Sequence, residues 1–124
     1  MDRVLAVSVG AILGANARYW LGLWFDTRFA SRFPLGTLAI NLTGCLLLGF
    51  FVALTTRRIA LGPQWRLLLA VGFLGSYTTF STFSVETLGL LDEGSSGPAL
   101  TNVLLSVVGG LAGAWLGARL ADLI

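Results

Sequence analysis

Residues 75–86 read Gly-Ser-Tyr-Thr-Thr-Phe-Ser-Thr-Phe-Ser-Val-Glu and lie in the middle of a hydrophobic stretch. Each unsatisfied polar group costs roughly several kcal/mol in a hydrocarbon core, so polar side chains at that depth belong to a site or a pathway. Gly72 and Gly75, followed by Thr78 and Thr79, give poor helix continuity. A break there would expose backbone carbonyls and N–H groups able to hold an ion. An unbroken helix with its hydroxyls bonded to the preceding turn fits the same residues. Spacing alone leaves both readings open. Helical spacing puts Phe80, Phe83 and Thr87 on one stripe and Thr79, Thr82 and Glu86 on the next. Phenyl edges carry partial positive charge, so two of them could approach a small, partly dehydrated anion. Taken in isolation, an FxxF pair is more often two core phenylalanines. Glu86 fits either a snorkelling helix-end charge or part of a polar track.

Two other stretches carry polar groups at depth. Asn41 lies in Pro34-Leu35-Gly36-Thr37-Leu38-Ala39-Ile40-Asn41-Leu42-Thr43-Gly44, with Thr37 one turn before it on the same face. An amide in lipid needs partners: another helix, or an anion in transit. Arg18, in Gly14-Ala15-Asn16-Ala17-Arg18-Tyr19, interrupts the first apolar run. Mid-span arginine costs about 2.5–3.5 kcal/mol on insertion scales, so it faces water or an anion, or reaches the headgroups.

The elements that position these residues follow from composition. The chain has 124 residues, 56% of them hydrophobic and 11% charged, with mean hydropathy +0.85. Soluble domains carry about a quarter charged residues, so this is an integral membrane protein. Histidine is absent and Cys45 is the sole cysteine. That excludes a zinc site, a Ser/His/Asp triad and an internal disulfide, and no nucleophile–base pair points to an enzyme. Cys45 reads as a small packing residue. All the basic charge is arginine, placed near helix ends as membrane anchors are, and nothing suggests nucleic-acid binding.

Charges divide the chain into four apolar spans, about 4–25, 34–56, 67–91 and 99–120, forming a single all-α transmembrane domain. Pro34, Pro63 and Pro98 mark span starts. Arg3 and the apolar run up to Ala15-Asn16-Ala17 imitate a signal peptide, but residues 19–25 continue the apolar segment and three more spans follow. With a cytoplasmic N-terminus, Arg3, Arg57, Arg58, Arg66 and Arg119 fall on the inner side and Arg28 and Arg32 on the outer, a bias towards that orientation. Gly10-x3-Gly14 in the first span and Gly109, Gly113 and Gly117 in the last are close-packing stripes, within or between subunits. So small a subunit encloses little by itself, and oligomerisation is expected.

Gly10-x3-Gly14-Ala15-x2-Arg18-Tyr19, Gly36-Thr37-x3-Asn41-x2-Gly44 and Gly75-x2-Thr78-Thr79-Phe80-Ser81-Thr82-Phe83-x2-Glu86 together resemble the successive signatures of the Fluc (CrcB-type) fluoride channels. The resemblance covers nearly the whole chain, and the third motif is its most specific part. It implies an antiparallel, dual-topology dimer with two pores, a broken third helix and passive fluoride export across the bacterial inner membrane. By the same resemblance Asn41 donates hydrogen bonds to fluoride, and Phe80 and Phe83 present ring edges. Thr37, Ser81, Thr82 and Glu86 belong to the polar pathway and Arg18 to the vestibule, with Ser106 a weaker candidate. Backbone carbonyls of Gly75 and Thr78 hold a structural Na+ at the dimer centre. A homodimer is favoured because one chain supplies every role; the arginine bias leaves room for a heterodimer with a paralogous subunit. The competing class is a small four-helix proton-coupled multidrug exporter. Its membrane glutamate would sit in the first span, where this chain has Arg18; only Glu86 could serve instead.

Overall fold

Long uncharged runs dictate the architecture. In the computed structural model, which describes residues 2–124, α1 spans Arg3–Arg28 and α2 spans Leu35–Arg57. The third span opens with a helical turn, α3 (Pro63–Arg66), continues as a π-helix over Leu67–Leu74, and ends in a short turn, α4 (Gly75–Tyr77). Beyond Thr78 and Thr79, α5 covers Phe80–Asp92, and α6 covers Ser96–Ala121. Among the described residues four helical units are long and apolar enough to cross a membrane. At about 1.5 Å per residue even α2 reaches about 35 Å, against a hydrocarbon core of about 30 Å.

Two helices extend beyond the apolar runs: the third helical unit begins at Pro63, ahead of residue 67, and the last helix at Ser96, ahead of Pro98. First-turn N–H groups have no intrahelical partner, so Pro98 is accommodated inside that turn.

The third span is broken near its middle. Thr78 and Thr79 are extended, with ψ of 156° and 112°. Of the two readings left open by residue type, the broken helix is the one adopted. The π-helix ahead of it was not expected. Its wider turns set the Leu68 and Phe73 carbonyls against Gly10 and Gly14 of α1, where any Cβ would collide with them.

The helices pair as α2 with α6 and α1 with the third span, while α5 makes sparser contacts with α2 and α6. Both glycine stripes serve packing inside the subunit. Gly109, Gly113 and Gly117 bear on Leu42, Cys45 and Leu46 of α2, as Gly10 and Gly14 bear on the π-helix.

Polar contacts bracket the bundle. At one end Arg57 donates to both Asp122 oxygens at 2.8 and 3.0 Å, and Arg58 to the Asp122 carbonyl at 2.8 Å. The Arg57 hydrogen bond holds the Asp122 carboxyl below the usual carboxylate range, with Arg119 and Arg58 adding to the effect. At the other end Arg32 lies 3.9 Å from Glu93.

Candidate functional site

The break creates the site. In a continuous helix the Thr79 N–H would bond to the Gly75 carbonyl and the Thr82 N–H to the Thr78 carbonyl. Here the Thr79 N–H donates to Asn41 Oδ1 at 2.8 Å, and the Thr82 N–H to Thr79 Oγ1 at 3.2 Å. Both bonds are thus diverted from the carbonyls of Gly75 and Thr78, the two that the family resemblance implies as cation ligands. Gly75 is exposed and Thr78 half-buried.

Asn41 repairs the break from α2. Its Nδ2 donates to the Thr79 carbonyl at 3.0 Å while its Oδ1 accepts the Thr79 N–H, a reciprocal pair on one residue. An amide nitrogen has two hydrogens, so one remains for another acceptor. Gly44, one turn further along α2, lets the helix approach the break so closely that a Cβ would collide with the Thr78 methyl. Thr79 then caps α5: its hydroxyl accepts from the Thr82 N–H and donates to Thr82 Oγ1 at 2.9 Å.

Two cavities have Thr79 in their walls. One, of about 260 Å³, is lined by Asn41, Thr78, Thr79, Phe80, Phe83 and Ser106 among others. The second, of about 290 Å³, is lined by Arg18, Tyr19, Asp26, Thr37, Thr79, Thr82 and Glu86 among others. Every expected pathway residue except Ser81 lines one of the two. Ser81 is exposed, its Oγ 3.3 Å from Thr79 Oγ1.

Within the first cavity the aromatic rings differ sharply in environment. Their centroids are 5.6 Å apart, yet Phe83 is 8% exposed and Phe80 is 80% exposed. Ser106 Oγ is shielded and has no hydrogen-bond partner among the described residues. It can donate to an anion entering the cavity.

Within the second cavity Thr37 donates to Glu86 Oε1 at 2.8 Å, while Glu86 Oε2 is shielded and without a partner among the described residues. Arg18 makes no ion pair among the described residues although Asp26 and Glu86 share its cavity. It supplies the positive charge in a wall that also carries the carboxylates of Asp26 and Glu86. Among the described residues no group of three or more His, Cys, Asp and Glu side chains is placed to hold a metal ion.

Residue-type reasoning passed over three features. Tyr77 is buried, and its hydroxyl lies 2.9 Å from Thr43 Oγ1. The π-helix has no signal in residue type. Asn102 is 1% exposed and bonds to Thr87; an amide inside an uncharged span is the signal that drew attention to Asn41, and it applies equally here.

Comparison with known proteins places the same residues in context. Residues 5–118 match the family described as CrcB-like protein, Camphor Resistance (CrcB). The chain is 45% identical over 120 residues to a Chloroflexus aurantiacus protein named Fluoride-specific ion channel FluC, covering 97% of this chain and 95% of that one. It is 51% identical over 115 residues to a Symbiobacterium thermophilum protein named Fluoride-specific ion channel FluC 2, covering 93% and 94%. A Trichormus variabilis protein, also named Fluoride-specific ion channel FluC, is 59% identical over 90 residues, covering 72% of this chain and 66% of its own length.

Proposed function

The chain belongs to the CrcB-like family, and from that premise we infer that it is a fluoride-selective channel, carrying the ion passively and electrogenically out of the cytoplasm. The observation that carries this reading is the pair of cavities on either side of Thr79, one edged by Asn41, Phe80, Phe83 and Ser106, the other by Arg18, Asp26, Thr37 and Glu86. Fluoride is small and strongly hydrated, so a selective path must replace its water with closely placed donors. The second Asn41 N–H, the Ser106 hydroxyl and the Phe83 ring edge supply such contacts, and Arg18 places a cation at the approach, beside the carboxylates of Asp26 and Glu86. Ser81 and Thr82 extend the hydroxyl track along α5. No observation favours proton-coupled drug export: Glu86 accepts a bond from Thr37 and shares its cavity with Arg18.

The working unit in this proposal is an antiparallel homodimer with two pores in the bacterial inner membrane. Phe80 supports it. A large aromatic ring at the cavity wall, 80% exposed, leaves the site open until a second copy closes it. Gly75 and Thr78, whose carbonyls have lost their helical donors to Asn41 and Thr79, fit a monovalent cation, and Na+ is the one proposed at the centre of the dimer. When bound, it would supply fixed positive charge to those carbonyls and offset the polar backbone that the break exposes.

Reconstitution tests the reading. Liposomes holding the purified protein should release fluoride with compensating charge movement and barely pass chloride. Well-folded protein with no fluoride flux would overturn it. Tags probed from both membrane faces test the orientation, because the arginine excess at the α2 and α6 C-terminal end pulls against dual insertion. Wholly one-sided labelling would replace the homodimer by a pairing with a second, oppositely oriented chain.

A further inference from the structure

α5 carries Phe80 and Phe83 but is cut from the helix before it at Thr78 and Thr79. Its rotation about its own axis is therefore not inherited from the preceding span and must be set by contacts along its length. Two polar clasps come from α2: Asn41 to Thr79 at the cap, and Thr37 to Glu86 further along. Two anchors on a single neighbour leave a segment free to rock about the line that joins them. A third anchor from a different helix removes that freedom.

Asn102 of α6 is that anchor. Its side chain is 1% exposed, and its Nδ2 donates to Thr87 Oγ1 at 2.9 Å. The Thr87 hydroxyl has one hydrogen and gives it to the Phe83 carbonyl at 2.7 Å. The order is thus fixed, amide to hydroxyl to carbonyl, and it ends on the backbone of the residue whose ring lines the cavity. Burying an amide is unfavourable unless it is bonded, and bonds in series polarise one another, so the arrangement holds one geometry strongly.

We propose that Asn102 is a positioning residue for anion selection: through Thr87 it fixes the rotation of α5 and with it the Phe83 ring edge. The proposal rests on the channel reading above. It differs from simple adhesion between helices, which would affect stability and leave selectivity alone.

Fluoride and chloride flux through liposomes, normalised to folded protein, distinguish the two. The wild type comes first: no fluoride flux would mean that the channel reading fails, whatever Asn102 does. With flux present, Asn102→Ala and Thr87→Val should each lower the fluoride-over-chloride ratio about tenfold, while Thr87→Ser, which keeps the hydroxyl, should stay within about twofold of wild type. In a Phe83→Ile background, Asn102→Ala should add no further change, because the two act through one element. A reduced melting temperature with an unchanged ratio in Asn102→Ala would overturn the proposal. If that variant does not fold, the Thr87 pair decides: equal ratios for Thr87→Val and Thr87→Ser overturn it just as well.

Discussion

The seam between α1 and the π-helix is closed by glycine backbone, whereas α5 is held to its neighbours by three polar side chains. In the first, Gly10 and Gly14 lie directly against carbonyls of Leu68 and Phe73. Nothing can enter, and the contact is dispersion between close-packed backbones, the usual adhesive where lipid removes the hydrophobic drive for association. In the second, Asn41, Thr37 and Asn102 reach across to Thr79, Glu86 and Thr87, and cavities remain between the clasps. The same bundle thus separates rigidity from chemistry. Tight backbone seams fix the frame, and a cut helix on side-chain supports surrounds the polar path.

The largest effect is expected at the backbone seam. Gly14→Val places a branched side chain where even a Cβ meets the Phe73 carbonyl. Overpacking of well-filled cores costs about 1–3 kcal/mol and more where backbone must move, so folded protein should be nearly absent on size-exclusion chromatography. A well-behaved Gly14→Val protein would erase the distinction between the two seams.

Next comes the clasp at the break. Asn41→Ala removes both partners of the Thr79 backbone, a loss of about 1–3 kcal/mol for each buried group left unpaired. Fluoride flux should vanish and thermal stability should drop, by less than in Gly14→Val. Flux near wild type would show that the break does not depend on this amide. Smaller again is Phe83→Ile, which keeps an apolar side chain but removes the ring edge. Its flux should fall about tenfold, corresponding to about 1.4 kcal/mol, with size-exclusion behaviour unchanged. Equal flux would assign Phe83 to packing alone.

The smallest effect belongs to the surface clasp of Arg57 and Asp122. Because its folded carboxyl titrates below the usual range, Asp122 adds stability above the unfolded pKa, lost as pH falls through the folded one. Asp122→Asn should therefore leave flux unchanged near neutral pH and flatten only the acid side of a thermal-stability profile. An exposed ion pair is a weak contributor, and altered flux in this variant would give the bundle's end a role in conduction.

Legibility from sequence divides along the same boundary as the seams. Four spans follow from uncharged runs because lipid admits few other backbones, and the glycine stripes of α1 and α6 announced close packing. Their partners could not be read, since a stripe does not say what it faces. Asn41, Arg18 and Glu86 stood out as polar groups at depth. The break did not follow from residue type, because Thr78 and Thr79 can bond back within a helix as well as leave one. What decides the outcome is Asn41, 38 residues away in sequence from Thr79. The π-helix was equally hidden, for its sequence Leu-Leu-Leu-Ala-Val-Gly-Phe-Leu would suit an ordinary helix. Asn102 was legible by the rule that picked out Asn41, but it falls outside the three motifs that carry the resemblance.

The clasps on α5 also impose a timetable on biogenesis. A nascent chain emerges from its N-terminus, so Asn41 enters the membrane ahead of residues 78 and 79. The cut in the third segment can be satisfied as soon as that segment leaves the translocon, without the unpaired backbone lingering in lipid. Asn102 is synthesised later, in the last segment. The gap is thus sealed early, and the rotation of the aromatic half-helix is locked only when the final segment arrives.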